Sequence, residues 1–545
     1  MSGFVLAVRF DGQPVDPLLL GELQRLLARR PVTHRVPLTE EGLSVAEAYA
    51  RWGEDCAGHF PHEFSFAVWD GARRRLFAAR DRIGIRPLFY ATWNGTLVVT
   101  NDFPTLIDAP FHQRELNRDA IADFFAHGYN TDLQHTVYRQ IHRVPPAHRL
   151  IATANGIRIE RWWSLPFREE PLRIGPDEAL DRFRQILGTA VRERARGEVA
   201  VGLSGGIDST TIAATLVAGG GRGTAITTVW DPLIPDVERH YATLAARALG
   251  LPHELQECAH VQPFDGWESR AVRGLEPYAD PFSVVLNDFI GRAAMHGDVL
   301  LTGQGGDAAL YESHDYFFNL LRRGRWVRFA ADAIGFAATR RRLPPFLLRS
   351  RLLRLLDRWG VRHPRTGAQS APIPPWLHPD LAAGFGSTPP PSDFRTHGWR
   401  ADAHRLLSQP VWSAVFEGYD PGATGHAIEV APPWFDVRVL DFVFSLPAMP
   451  HFASKDLARR VLKDLLPDEV RLRPKTPLRG DPLFVLFPRT PERWVREVSE
   501  SALVDEFVDR RTLCNELGSG RGFSDETIRQ QAAAVALAKW LQGHT

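Results

Sequence analysis

The sequence predicts two domains of different class, a β-rich first domain followed by an α/β second domain built on a parallel sheet. Three observations carry this. The chain has 545 residues, more than one hydrophobic core usually organises. Between Phe64 and Thr100, short runs rich in Phe, Val, Tyr and Trp are punctuated by Asp-Gly and Asn-Gly, which is hairpin chemistry. From Glu198 onward, apolar runs end in glycine or polar residues and give way to helix-like sequence, the alternation of a parallel α/β sheet.

Each element follows from its local pattern. LNRDAIADFFAHGY has helical spacing, and TVYRQIHRVPPAHRLIATANGIRIERWWSL returns to strand pairs around an Asn-Gly turn, so the first domain is expected over residues 1–168. FREEPLRIGP breaks the pattern as a linker. The second domain, expected over 175–545, opens with DEALDRFRQILGTAVRERARG. There Leu180, Phe183, Leu187 and Val191 share a helical face, and Asp177 is placed to cap the start. EVAVGLSGG, TAITTVW and DVLLTGQGGD then read as strands, whose carboxyl ends are where such sheets bind ligands.

Composition narrows the function. Apolar residues at 44% and charged residues at 24% are ordinary for a globular enzyme. A net charge of +1 exerts no whole-protein pull on nucleic acid or membrane. Cys56, Cys258 and Cys514 lack metal-ligand spacing and form no disulfide framework. The first residues, MSGFVLAVRFDGQ, lack the basic start of a signal peptide, and no stretch reaches the ~20 apolar residues of a spanning helix. A soluble cytoplasmic protein is expected, with neither nucleic acid nor membrane as partner. Only four lysines occur, Lys455, Lys463, Lys475 and Lys539; elsewhere the chain uses arginine for positive charge. Residues 322–365 hold thirteen arginines and two acids, Asp332 and Asp357. They read either as a solvated helical pair with arginine stems along apolar neighbours or as a docking surface for an acidic or peptide partner.

The most informative stretch is AVGLSGGIDSTTIAATL at 200–216, a strand, a glycine turn and a helix. Gly205 and Gly206 allow a tight turn whose N–H groups, with the helix N-terminus, make a nest for an anionic phosphate. Ser204, Ser209 and Thr210 crowd hydroxyls around the same turn. Asp208 would repel a bare phosphate, so its presence implies an intervening Mg²⁺. No Gly-Lys-Ser/Thr follows, so this is not a P-loop.

SGGIDS resembles the pyrophosphate loop of the ATP pyrophosphatase family, enzymes that split ATP between its α and β phosphates to adenylate a substrate. LTGQGGD at 301–307 resembles the second metal-binding segment of asparagine synthetases. The resemblance implies that Asp208 and Asp307 hold Mg²⁺, and that Ser204, Gly205, Gly206, Asp208, Ser209, Thr302 and Gly303 bind ATP and pyrophosphate. EPYADP at 276–281, IEVAPPWFDVRVLDFVFSLP at 428–447 and SKDLARRVLKDLLPDEVRLRPK match further segments, the last ending at that family's active-site lysine, here Lys475. Glu276, Asp280 and Glu429 are acids in matching segments, for which substrate contact and a structural salt bridge both remain open. Ala431 stands where the family carries arginine.

FSFAVWDGARRRLFAARDRIGIRPLFYA and VPPAHRLI resemble the glutaminase domain of asparagine synthetase, an Ntn-type, class II amidotransferase fold. That family's nucleophile is a cysteine directly after the initiator methionine; here the residue is Ser2, a far poorer nucleophile. The resemblance therefore implies a degenerate glutaminase domain and a substrate that brings its own amine. In β-lactam synthetases a tyrosine helps deprotonate the amine at the position of Gln304, which cannot act as a base. YFFNLLRRGRWVRFAADAIGFAATRRR, PPWLHPDLAAGF and ALAKWLQ are similar to segments of lasso peptide cyclases. That likeness implies a ligase that adenylates an Asp or Glu side chain of a core peptide and closes a macrolactam, with a leader-cleaving peptidase and a leader-binding protein as partners. A β-lactam-synthetase-like or other amide ligase, or an ammonia-using asparagine synthetase, are the alternatives.

Overall fold

The computed structural model describes residues 3–33, 37–165, 171–312, 316–340, 373–384, 400–474, 480–519 and 524–543. In the first domain, β1 (Val5–Arg9), β2 (Ser65–Asp70), β3 (Arg75–Arg80), β4 (Phe89–Trp93), β5 (Thr96–Thr100), β6 (Ile141–Arg143), β7 (His148–Thr153) and β8 (Gly156–Arg161) form two antiparallel sheets, ordered β1-β5-β4-β6 and β2-β3-β7-β8. Asn94-Gly95 closes the β4–β5 hairpin in two residues, with Trp93 opposite Thr96. Leu97, Val99 and Tyr90 from one sheet and Leu76, Ala78 and Leu150 from the other meet in one buried layer. Val98 and Phe89 face outward instead, under helices that supply Leu23, Phe103, Ile121 and Phe124. Both faces of β5 are therefore covered, which is why its residues read as a continuous apolar run.

The second sheet is wholly parallel, with β9 (Val199–Gly202), β10 (Gly223–Val229), β11 (His253–Glu257), β12 (Val299–Leu301) and β13 (Glu429–Ala431) in the order β11-β10-β9-β12-β13. Strand order reverses between β9 and β12, so the crevice at their carboxyl ends is a topological switch point, where such sheets bind ligands. β9, β10 and β12 are the strands the sequence predicts. β11 (HELQE) is a polar edge strand and β13 has three residues, so neither announces itself by hydrophobic pattern.

The helix Pro176–Arg194 buries Leu180, Phe183, Leu187 and Val191 as expected. Its cap differs from the expectation: Gly175 is the N-cap and Asp177 lies inside the first turn. Pro176 takes the first helical position, where a missing N–H costs nothing, and Asp177 instead favours the helix dipole and accepts from Arg460. Among the described residues no helix is long and apolar enough to cross a membrane, and the three cysteines form no disulfide.

The two domains are joined by buried ion pairs. Arg30 bridges Asp102 and Asp420; Arg143 holds Glu276 and Glu417, and Arg80 also reaches Glu417; Arg86 meets Glu429 at 3.0 Å. In the reverse sense, Arg194 of the second domain pairs with Glu63 of the first.

Candidate active site

The site is assembled where β9 and β12 end. After Gly202 the chain turns through Ser204, Gly205 and Gly206 into the helix Ile207–Ala218. Gly205 has φ +66°, and a Cβ there would come within 2.6 Å of the Ala242 backbone nitrogen, so the position requires glycine both for conformation and for space. Ser204 N donates to Ser209 Oγ at 3.1 Å and the two hydroxyls lie 3.0 Å apart, which locks the turn to the first turn of the helix. Arg473 donates to the Gly205 carbonyl at 3.2 Å and stacks over Tyr241, 4.2 Å from the ring centre.

The second loop, Thr302 to Asp307, lies directly against this turn. A Cβ on Gly303 would stand 2.5 Å from Ser209 N, so no side chain separates the two loops. The result is a convergence of charge: Lys455 Nζ is 2.5 Å from Asp208 Oδ2 and 2.5 Å from Asp307 Oδ1. Trp434 Nε1 donates to the Asp208 carbonyl at 3.3 Å, fixing the helix start from below. Ser454 and Lys455 are both left-handed, with φ +51° and +58°, an arrangement costly for residues with side chains and concentrated at functional positions. Ser454 N donates to Glu312 at 2.9 Å. Arg459 reaches the carbonyls of Ser454, Arg471 and Arg473, clipping the lysine-bearing turn to the segment that contacts Gly205.

The sequence-derived residues fare differently from one another. Ser204, Gly205, Gly206, Asp208, Ser209, Thr302, Gly303 and Asp307 come together in this crevice. Lys475 and Ser2 lie outside the described residues, as do residues 341–365 of the arginine-rich stretch. Lys455 was missed, although the signal was present: lysine is so rare in this chain that each one invites the question of why arginine would not serve. Glu276 lies in the wall of the cavity between the two domains. Its two carboxylate oxygens accept from Val137 N and from Arg143, so it is an interdomain counter-ion, held above the usual carboxylate range by burial. Glu429 is likewise engaged by Arg86.

Gln304 Nε2 donates to the Tyr419 hydroxyl, and burial pushes that phenol up to about 12. Thr302 Oγ1 and Gln304 Oε1 are buried with no hydrogen-bond partner among the described residues. Such atoms are usually completed by ordered water or by a ligand. Behind Tyr419, a cavity of about 350 Å³ runs along the domain interface, walled by Phe103 and Tyr129 of the first domain and Trp267, Tyr278, Asp280 and Tyr419 of the second. Among the described residues no cluster of three His, Cys, Asp or Glu could hold a metal by itself. An ion here would draw on Asp208, Asp307 and a polyphosphate together. Two carboxylates delivered to one point beside a glycine-rich anion nest fit that composition.

The profile of the family described as asparagine synthase matches residues 182–542. The chain belongs to this family. A glutamine amidotransferase domain profile matches residues 34–163 of the same chain. Across 521 residues the chain is 23% identical to an asparagine synthetase [glutamine-hydrolyzing] 3 of Bacillus subtilis, covering 88% of this chain and 77% of that one. It is 28% identical to a putative asparagine synthetase [glutamine-hydrolyzing] of Mycobacterium bovis, covering 80% and 69%. The glutamine phosphoribosylpyrophosphate amidotransferase of B. subtilis, solved with ADP and GMP, overlaps 56% of each chain at 13% identity with a TM-score of 0.16, too weak a likeness to bear on function. As an asparagine synthase family member, this protein is an ATP-dependent amide ligase with an amidotransferase-like first domain and a parallel-sheet second domain.

Proposed function

We propose that this ligase adenylates the side-chain carboxylate of an Asp or Glu in a ribosomally made core peptide and closes a macrolactam with that peptide's N-terminal amine, as lasso peptide cyclases do. The observation that carries the reading is the interdomain cavity against Tyr419, the phenol to which Gln304 donates. At about 350 Å³ it far exceeds the roughly 10–15 Å³ that a water-sized guest needs by the same measure. A chamber of that size has room for a peptide N-terminus. Ser2 in place of the family's nucleophilic cysteine favours the same conclusion. The helix Trp326–Arg340 exposes Trp326, Val327 and Ile334 within the arginine-rich stretch, which favours the docking alternative for that region. The proposed partners there are the peptidase that frees the amine and the leader-binding protein.

In this reading the turn around Gly205 and the start of the helix Ile207–Ala218 hold the β and γ phosphates. Asp208 and Asp307 hold Mg²⁺, which supplies charge neutralisation on the leaving pyrophosphate. Lys455 presents a compact ammonium at the same point. The peptide carboxylate oxygen bonds to the α phosphorus, the bond to the bridging oxygen breaks, and pyrophosphate leaves. The amine then bonds to the acyl carbon and AMP leaves, the reaction being intramolecular and so favoured by a high effective concentration.

The test is incubation of the protein, ATP and Mg²⁺ with the core of a short peptide encoded beside its gene. The expected product is lighter by one water and resists carboxypeptidase. Asparagine from aspartate and ammonia at a comparable rate would overturn the cyclase reading. Glutamate formation from glutamine, dependent on Ser2, would overturn the reading of the first domain.

A further inference from the structure

Asp280 stands in the wall between two cavities. It lines the interdomain cavity, and with Leu286 it also lines a second cavity of about 410 Å³ that includes Thr228 and Trp230 at the carboxyl end of β10. Its Oδ1 accepts from Phe282 N at 2.9 Å, which fixes the carboxylate at the start of the helix Ser283–Ala294. Among the described residues no Lys, Arg or His ion pair reaches it. The groups that act on it are the Tyr278 and Tyr419 phenols and the Asp481 carboxylate. Tyr129 and Trp267 line the same cavity, as do Glu417, paired with Arg143 and Arg80, and Glu276, paired with Arg143. Arg273 also lies in the wall, but donates to the carbonyls of Trp267, Glu268 and Gly543. A carboxylate with no cation partner among the described residues, set among aromatic rings, matches an ammonium group in both charge and π character.

We propose that Asp280 anchors the acceptor's amine and takes its proton. This rests on the peptide-ligase reading above. The acceptor's ammonium enters the interdomain cavity and pairs with the Asp280 carboxylate. One N–H proton passes to Asp280, freeing the nitrogen lone pair. The nitrogen bonds to the acyl carbon of the adenylate, the acyl C–O bond breaks with its electrons going to AMP, and the second N–H proton is lost to water. Burial, reinforced by like-charge repulsion from Asp481, holds the Asp280 carboxyl above the ordinary carboxylate range, which makes it a better proton acceptor than an exposed aspartate.

Asp280→Asn separates the two half-reactions. Pyrophosphate exchange driven by the same peptide is expected within a few-fold of the unsubstituted enzyme. Hydroxylamine, a neutral nucleophile at pH 7 that needs neither anchor nor proton acceptor, is expected to trap the adenylate as a hydroxamate at an undiminished rate. Ring closure is expected to fall by about 10²-fold or more, and the acid limb of its pH profile to disappear. Closure within a few-fold of normal overturns the proposal. So does parallel loss of exchange, hydroxamate and closure in a variant that melts normally, since that marks a structural role. If the Asn variant fails to fold, Asp280→Glu carries the test: closure slowed and its acid limb displaced, with exchange kept. An unmoved limb overturns the proposal. Absence of exchange in the unsubstituted enzyme overturns the peptide-ligase reading and the amine anchor with it.

Discussion

Two clusters of charge in this protein are built from the same parts and do opposite things. At the domain interface, Arg80 and Arg143 meet Glu276 and Glu417, two cations against two anions, with side chains 0%, 4%, 15% and 10% exposed. In the crevice, the described residues bring two carboxylates to one ammonium, with Asp307 61% exposed. The first cluster is balanced and closed, so its energy goes into holding two domains in one arrangement. The second is rich in anion and open, as suits a place where a metal and a polyphosphate arrive and depart.

The sharpest way to break this contrast is to remove one charge from each cluster. Asp208→Asn or Asp307→Asn is expected to lower ATP-dependent pyrophosphate release by about 10³-fold while the melting temperature barely moves. Near-normal release would take both residues out of the site. In the closed cluster, Arg143→Met leaves two buried carboxylates short of a partner, which typically costs about 3–5 kcal/mol. The expected outcome is a large drop in denaturation midpoint, and an unchanged midpoint would show that the interface does not depend on this pair.

Lys455→Ala is expected to cost ~10²-fold in turnover with little change in stability. Lys455→Arg is expected not to rescue it, because a planar fork cannot occupy a point between two carboxylates as an ammonium does. Turnover of the Arg variant within a few-fold of normal would assign Lys455 a merely electrostatic role.

The smallest effect sharpens the boundary between the two kinds of cluster. Glu238 opens the helix that carries Tyr241 and Ala242 against Gly205. Burial and the neighbouring Asp236 raise its carboxyl from 4.5 to about 7, against the lowering pull of Arg473. Between those values the folded state holds a proton that the unfolded state has lost, so stability falls as pH rises through this window. Glu238→Gln is expected to abolish that fall and to gain about 1–2 kcal/mol at pH 8, with no gain at pH 4, after allowing for partial solvent access. Equal midpoints at pH 8 for the two proteins would count against the raised value.

Much of this was legible in the sequence, for physical reasons that also mark its limits. Strands buried on one or both faces announce themselves by apolar pattern, as β5, β9, β10 and β12 do. The glycine turn at 204–206 is legible because its backbone geometry tolerates so few residues. β13 and the polar edge strand β11 lack that signature and are defined by their neighbours' hydrogen bonds. Glu276 could not be assigned from sequence, because its partner Arg143 lies 133 positions away. Lys455 and Asp208 lie 247 apart, and only the folded chain shows that they share a point in space.

The interdomain arginines have a consequence for what the chain can discard. Arg30, Arg80, Arg86 and Arg143 belong to the first domain, and Asp420, Glu417, Glu429 and Glu276 to the second. Cutting the gene between the two halves would strip four acids of their counter-ions at once. The synthetase half would be left with an anionic, partly apolar face that no longer matches anything it owns. Whatever chemistry the sandwich performs, it also serves as counter-charge for its neighbour.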